Sequence, residues 1–408
     1  MLFMLEIENF YSIRNPQIID LRVGRSVSDN PGRLAEIGPG MSERAPKVVS
    51  IFGQNASGKS NVLKALSFLS WFVRDSFSIS PDSSLPFSRF LDEKMQNEPT
   101  RLAVWFTGPS DPRNMATPEP NPRNSSIYRY EVVLGGASGK PEKVLSETLK
   151  YWPLETNKQV KLFYRDESGK VKGHRKFGMS GYNLPLEKIL RDNASVVSTL
   201  VQLKHESSFY LWNLAGLVVS NILIYKADFD DLSVAQMYKA NPALLDALNR
   251  EIERIDLGIR KLDVVVTASG PIFTVDHSGL DQPLLFPFES HGTRQFVKIF
   301  PLIFRALETG GVALIDELDL SIHPLVVPEI LRWYYDPKRN PYHAQLWITS
   351  QGASLLEDLT KEEIFFCEKD SHGRTMTYRL SDINAVRRTD NFYRKYLGGV
   401  YGAVPKIG

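Results

Sequence analysis

The sequence predicts an α/β protein with a β-rich N-terminal part, a mostly parallel core sheet and an inserted helical region. Three observations predict it. A short apolar strand, Val48 to Phe52, runs through a Gly-containing loop into a helix from Ser60 to Phe72, with Val62, Leu63, Leu66 and Leu69 on one face. Beyond Leu262, helices and strands alternate in the αβαβ order that builds a parallel sheet. At 408 residues, 42% of them apolar and 24% charged, the chain can bury a sizeable core, and its length fits two domains or one large domain with insertions.

The elements follow in order. Residues 2–7 and 17–23 alternate as strands do, so an opening β-hairpin turns at Asn15-Pro16. A Gly/Pro/Ser-rich loop covers Gly24 to Pro46. Strand patterns then occupy Leu102 to Phe106, Tyr128 to Leu134 and Val160 to Tyr164, the first two separated by a loop with five prolines between Pro109 and Pro122. Leu184 to Ile255 reads as mainly helical. Its last helix has Asn241 as cap, Pro242 in the first turn, and Leu244, Leu245, Leu248, Ile252 and Ile255 as its apolar stripe, without the heptads of a long coiled coil. Strands Asp263–Thr267 and Ile272–Val275 lead to a helix from about Thr293 to Leu307. Strand Val312–Ile315, helix Leu325–Tyr335 and strand Gln345–Ile348 complete the order. The divisions drawn are a first lobe over 1–180, a helical insertion over 181–261 and a second lobe over 262–408.

Composition narrows the function classes. Forty-nine basic against forty-seven acidic side chains leave a net charge of +2, which neither demands nor excludes nucleic acid. The single cysteine, Cys367, excludes an intrachain disulfide and a cysteine zinc cluster; its apolar neighbours Ile364, Phe365 and Phe366 place it in the core. The longest apolar stretch, Leu214 to Tyr225, is interrupted by Ser220 and Asn221 and is too short for a bilayer, so no membrane partner is expected. The first ten residues carry Glu6 and Glu8 and lack the features of a signal peptide, which makes a cytoplasmic location the expectation.

The strongest motif is Gly53-Gln54-Asn55-Ala56-Ser57-Gly58-Lys59-Ser60, a full match to G-x-x-x-x-G-K-S/T between strand and helix. Gly53 and Gly58 let the backbone curl so that successive N–H groups face phosphate oxygens, and the helix N-terminus near Ser60 adds partial positive charge. Lys59 is placed to reach β- and γ-phosphates, and the Ser60 hydroxyl to bind Mg²⁺. A second cluster ends the apolar strand Val312–Ile315 in Asp316 and Glu317. Asp316 suits a Mg²⁺ ligand, and Glu317, one residue on, suits the group that polarises the attacking water. ATP and Mg²⁺ are the cofactors expected.

These residues carry a resemblance. Asp316-Glu317-Leu318-Asp319 with Ser321-Ile322-His323-Pro324 resembles the Walker B and D-loop of ABC, SMC and RecF-like ATPases. Gly53-x-Asn55-Ala56-Ser57-Gly58-Lys59-Ser60-Asn61 is similar to their phosphate loop, and Ser290-His291-Gly292-Thr293 stands where their signature motif stands. More narrowly, Phe10-Tyr11-Ser12-Ile13-Arg14 and the run Gly399-Val400-Tyr401-Gly402-Ala403-Val404-Pro405 resemble small bacterial AAA-type ATPases of the abortive-infection (AbiL-like) kind. The resemblance covers about 1–75 and 262–408 and implies a P-loop NTPase fold with an ABC-type head.

It also implies a site shared by two copies. ATP would bind the phosphate loop of one protomer, residues 53 and 55–61, and meet Ser290 and Gly292 of a second, with Asp319 at the interface. Such a homodimer, formed on ATP binding, would drive or gate an operon-encoded effector in bacterial anti-phage defence. One departure stands out: the family usually has a His after the next strand, where this chain has Gln351 in Thr349-Ser350-Gln351. Gln donates a hydrogen bond but carries no charge, so slower hydrolysis, or a scaffold gated by binding, follows. His323 could share that role or simply start a helix.

Other features carry less. Gln96 is a weak candidate for the Q-loop. Lys158, Lys161, Arg165, Lys170, Lys172, His174, Arg175 and Lys176 interleave with Phe163, Tyr164 and Phe177, either a nucleic-acid surface or a solvated hairpin around Glu167-Ser168-Gly169, with the hairpin favoured. A GTPase needs N-K-x-D, and Asn157-Lys158-Gln159-Val160 lacks the Asp. No acceptor-site base signature supports a small-molecule kinase.

Overall fold

The computed structural model describes the chain except residues 29–31, 119–122, 137–141, 154–155, 228, 256–257, 321 and 405–408. Ser321 of the D-loop and Pro405 of the C-terminal run therefore lie outside the described residues.

The parallel alternation read from the sequence forms a six-stranded sheet in the order Val218–Ser220, Val312–Ile315, Gln345–Thr349, Val48–Phe52, Ile364–Lys369, Thr375–Arg379. All neighbours are parallel except the last pair. Its central strands are apolar on both faces because both faces are covered. Alternation along each strand sends Val49, Ile51, Leu314, Trp347 and Phe365 into one core and Val48, Phe52, Ala313, Ile315, Leu346 and Ile348 into the other. The sheet is thus the wall between two hydrophobic cores.

The first core lies between this wall and a seven-stranded antiparallel sheet, with helix Lys59–Asp75 packed between them. That sheet runs Val171–Gly173, Val160–Arg165, Lys143–Trp152, Ser125–Gly135, Thr100–Pro109, Leu2–Glu8, Gln17–Asp20. The opening hairpin forms, but its tight turn lies at Tyr11-Ser12, between the bridged Phe10 and Ile13, and Asn15-Pro16 instead leads into the second strand. Strand Lys143–Trp152 was not read from the sequence; its buried Val144, Leu149 and Tyr151 share a face interrupted by the buried carboxylate Glu147. The second core is built by helices Val326–Tyr335 and His291–Thr309, with a three-stranded sheet of Ile259–Thr267, Gly270–His277 and Leu284–Leu285 at its edge.

The stretch read as mainly helical contains helices Asn183–Ile189, Val196–Gln202, Glu206–Ala215, Asp231–Ala240 and Pro242–Ile255. They divide between the two cores. Ser198 Oγ lies 2.9 Å from Ser76 Oγ, and Trp212 Nε1 donates to Arg74 O at 3.0 Å, which ties the earlier helices to the phosphate helix. Tyr238 OH donates to Val297 O at 2.8 Å, and Asp231 pairs with Lys298 at 2.8 Å, which ties the later ones to the helix after Ser290. Between the two groups the β-branched Val218 and Val219 join the core sheet as its edge strand, a correction to the helical reading there. No helix among the described residues is long and apolar enough to cross a membrane.

Candidate nucleotide site

Ligands of open parallel sheets bind outside the carboxyl ends of the strands, and the motif residues lie there. Ile315 pairs with Ile348, and Ile348 with Ser50, so the acidic strand, an intervening strand and the phosphate-loop strand end level with one another. Gly53 and Gly58 have φ of +149° and +102°, and Ala56 has φ of +62°. A Cβ on Gly53 would stand 2.1 Å from Cys367 O, and one on Gly58 would stand 2.2 Å from Thr375 Oγ1. Those positions admit glycine only. Behind the loop, Thr375 Oγ1 donates to Ser57 O at 2.8 Å and lies 2.7 Å from Ser12 Oγ, which accepts from Asn61 Nδ2 at 2.7 Å. Ser12, from the run resembling the abortive-infection ATPases, is therefore a brace for the phosphate loop.

The loop fits a polyphosphate. Lys59 is buried and its ammonium donates to Gly53 O at 2.7 Å and Gln54 O at 3.0 Å, folded into the hollow its own loop makes. Ser57 Oγ is buried without a hydrogen-bond partner, 2.8 Å from where a Cβ on Gly53 would stand. Burial pushes the Lys59 ammonium below its ordinary pKa, while the Cys367 thiol, Asp316, Asp319 and Glu317 pull it back. The phosphate-loop cation and the three carboxylates thus share one electrostatic neighbourhood. Cys367 itself is buried, and its thiol is pushed up to about 12.

Asp316 is buried, and its Oδ1 accepts from Thr349 Oγ1 at 2.7 Å. The same Thr349 oxygen accepts from Glu317 N–H at 2.7 Å, so one hydroxyl sets the Asp316 carboxylate and the Glu317 backbone together. Glu317 has φ of +54°, the turn that swings its side chain away from that of Asp316. Its Oε1 accepts from Gln351 Nε2 at 3.3 Å, and its Oε2 pairs with Lys226 at 2.9 Å. Gln351 therefore faces Glu317 directly. Asp319 points into its own protomer: Oδ2 accepts from Ser350 Oγ and Gln351 N–H, each at 2.9 Å, and from Gly352 N–H. Ser290 caps the helix His291–Thr309, its Oγ accepting from Thr293 N–H at 3.1 Å, with Gly292 in the first turn and both Ser290 and His291 exposed.

Residues 48–357, well over half of the chain, match the family described as "AAA domain, putative AbiEii toxin, Type IV TA system". The chain belongs to this family. The AAA-family chain has the α/β P-loop NTPase fold expected from its motifs. No curated protein matches its sequence. Among solved structures it is similar to an Smc head bound to the C-terminal winged-helix domain of ScpA (11% identity, TM-score 0.46, 93% of this chain and 97% of that one). It is also similar to an SMC head domain from Thermotoga maritima (14% identity, TM-score 0.38, 93% and 98%). A third is an Smc head with an extended coiled coil, bound to a C-terminal ScpA domain, from Pyrococcus furiosus (13% identity, TM-score 0.45, 93% and 96%). Likeness of that degree assigns nothing further to this AAA-family chain.

Several residues around the AAA-family site gave no signal in the sequence. Asn221, just beyond the edge strand, donates to Asp316 O at 3.3 Å and accepts from Asp316 N–H at 2.8 Å, a two-bond clamp on the acidic turn. Lys226 follows five residues later. Gln96, in contrast, donates to Phe90 O at 2.9 Å, and among the described residues no hydrogen bond joins it to the nucleotide residues. His323 accepts from Leu325 N–H at 3.3 Å as an exposed helix-start residue. The basic stretch forms the hairpin of Val160–Arg165 and Val171–Gly173; Phe163 and Phe177 are buried, and Lys161 covers the half-buried Tyr164. The C-terminal run packs on strand Ile364–Lys369, with Ala403 N–H donating to Glu368 at 2.8 Å.

Proposed function

We propose that the chain binds and hydrolyses Mg-ATP, that two copies close around the nucleotide, and that closure drives or gates a partner effector in bacterial anti-phage defence. The observation that carries the reading is the common mouth of Gly53–Ser60 and Asp316-Glu317 at level strand ends. The backbone N–H groups of the loop, with Lys59, hold the phosphates. Ser60 and Asp316 hold Mg²⁺, which when bound neutralises charge on the β- and γ-phosphates. Glu317 accepts the proton of the attacking water, and Thr349 and Gln351 fix where that carboxylate points. The exposed turn at Ser290 and Gly292, with Phe288 73% exposed beside it, is the face offered to a second copy. The family's toxin–antitoxin description is in keeping with a defence setting.

The test is the mass of the Glu317→Gln protein with and without Mg-ATP, measured by size exclusion with light scattering. The reading predicts a dimer with Mg-ATP and a smaller species without it. A protein that binds ATP yet shows the same mass in both conditions contradicts the shared site.

A further inference from the structure

The loop Asn221–Ala227 leaves the edge strand Val218–Ser220 and folds back over the nucleotide mouth. Its root is fixed by the Asn221 clamp on Asp316, and it is closed on itself by the bridge between Ile222 and Lys226 and by Ala227 N–H donating to Asn221 O at 2.6 Å. Ile222, Leu223, Tyr225 and Ala227 of the loop line one hollow together with Ser67 and Trp71 of the phosphate helix. The loop therefore spans the mouth from the acidic turn toward the phosphate helix. Lys226 is the one cation it carries.

The Lys226 ammonium lies 2.9 Å from Glu317 Oε2, and the Gln351 amide lies 3.3 Å from Glu317 Oε1. A cation and a neutral donor thus flank the same carboxylate. Phosphoryl transfer spreads negative charge over the transferred group's oxygens, and a positive charge held there lowers the barrier. Gln351 cannot supply one. We propose that Lys226 is that charge: it turns from Glu317 toward the terminal phosphate of the bound nucleotide. The inference rests on the ATP reading above.

Two properties of the pair suit this role. An ammonium has three donors, and among the described residues Lys226 spends one, on Glu317. With the two side chains 41% and 31% exposed, the ion pair is weakly held, so the ammonium can share itself between carboxylate and phosphate at little cost. Asp231, in the helix Asp231–Ala240 that follows in the chain, pairs with Lys298 in the helix capped by Ser290.

The experiment measures binding of ADP and of the β,γ-imido analogue of ATP, each with Mg²⁺, by calorimetry on the full chain. The parent should prefer the triphosphate by about tenfold, the size of one hydrogen bond to a charged group. Lys226→Met should lose that preference while ADP affinity stays within about twofold of the parent, and its turnover should fall by about a hundredfold. Lys226→Arg should keep the preference. Gln351→His should restore preference and turnover in the Lys226→Met background. A Lys226→Met protein that still prefers the triphosphate overturns the inference, as does one that loses ADP equally. A parent that binds neither nucleotide removes the ATP reading as well, which separates the two failures.

Discussion

Two loops meet over the same mouth, and they are built in opposite ways. The phosphate loop, Gly53–Ser60, is shaped by backbone: glycines with no room for a Cβ, an Ala at positive φ, and braces from Ser12 and Thr375 behind it. The loop Asn221–Ala227 is shaped by side chains, with Asn221 holding the backbone of Asp316 and a half-exposed Lys226 holding Glu317. In the proposed site the first receives the ligand. The second is lightly tethered and can respond to it. The difference also explains which loop could be read in advance.

Substitutions break this contrast at its strongest points first. Gly53→Ala puts a methyl 2.1 Å from Cys367 O at φ of +149°, and a cost of roughly 2–5 kcal/mol with loss of nucleotide binding is expected in denaturant melts and ATP titrations. Lys59→Ala should leave melts near the parent and weaken ATP binding by roughly tenfold to a hundredfold, the worth of hydrogen bonds from a charged group. Unchanged ATP affinity there would remove Lys59 from the site.

Away from the mouth, Glu147 sharpens the comparison, because it is a buried carboxylate with no part in the chemistry. Its oxygens accept from Tyr130 OH at 2.9 Å and Val196 N–H at 2.8 Å, and burial raises its pKa to about 7 against the pull of Arg165. The folded state then holds this proton to higher pH than the unfolded chain, whose value is near 4.5. Its contribution is full below that value and is lost as pH rises through 7, by about 3 kcal/mol. Glu147→Gln should flatten that slope while leaving ATP affinity alone; a slope identical to the parent's would assign the pH dependence elsewhere. Asn221→Ala leaves the Asp316 N–H and C=O without their clamp and should cost about 1–3 kcal/mol. If Mg²⁺ dependence of ATP binding survives that change in full, the clamp does not position the metal ligand.

The phosphate loop and the Asp316-Glu317 pair were legible because each is contiguous and each motif dictates its own backbone. The braces were not, since Ser12, Asn61 and Thr375 meet only after more than three hundred residues of chain have folded. Thr349 was visible as a strand end, but its double bond to the acidic turn depends on sheet register. The strand Val218–Ser220 carries no strand signal in the sequence because three residues show no period. Its partner strand, not its own pattern, makes it β, and with it the positions of Asn221 and Lys226 went unread.

The most direct test of the convergence of the two motifs is ATP affinity as a function of Mg²⁺ in the parent and in Asp316→Ala. The account predicts that Mg²⁺ tightens ATP binding in the parent and has little effect in the variant. Equal tightening in both proteins would contradict it.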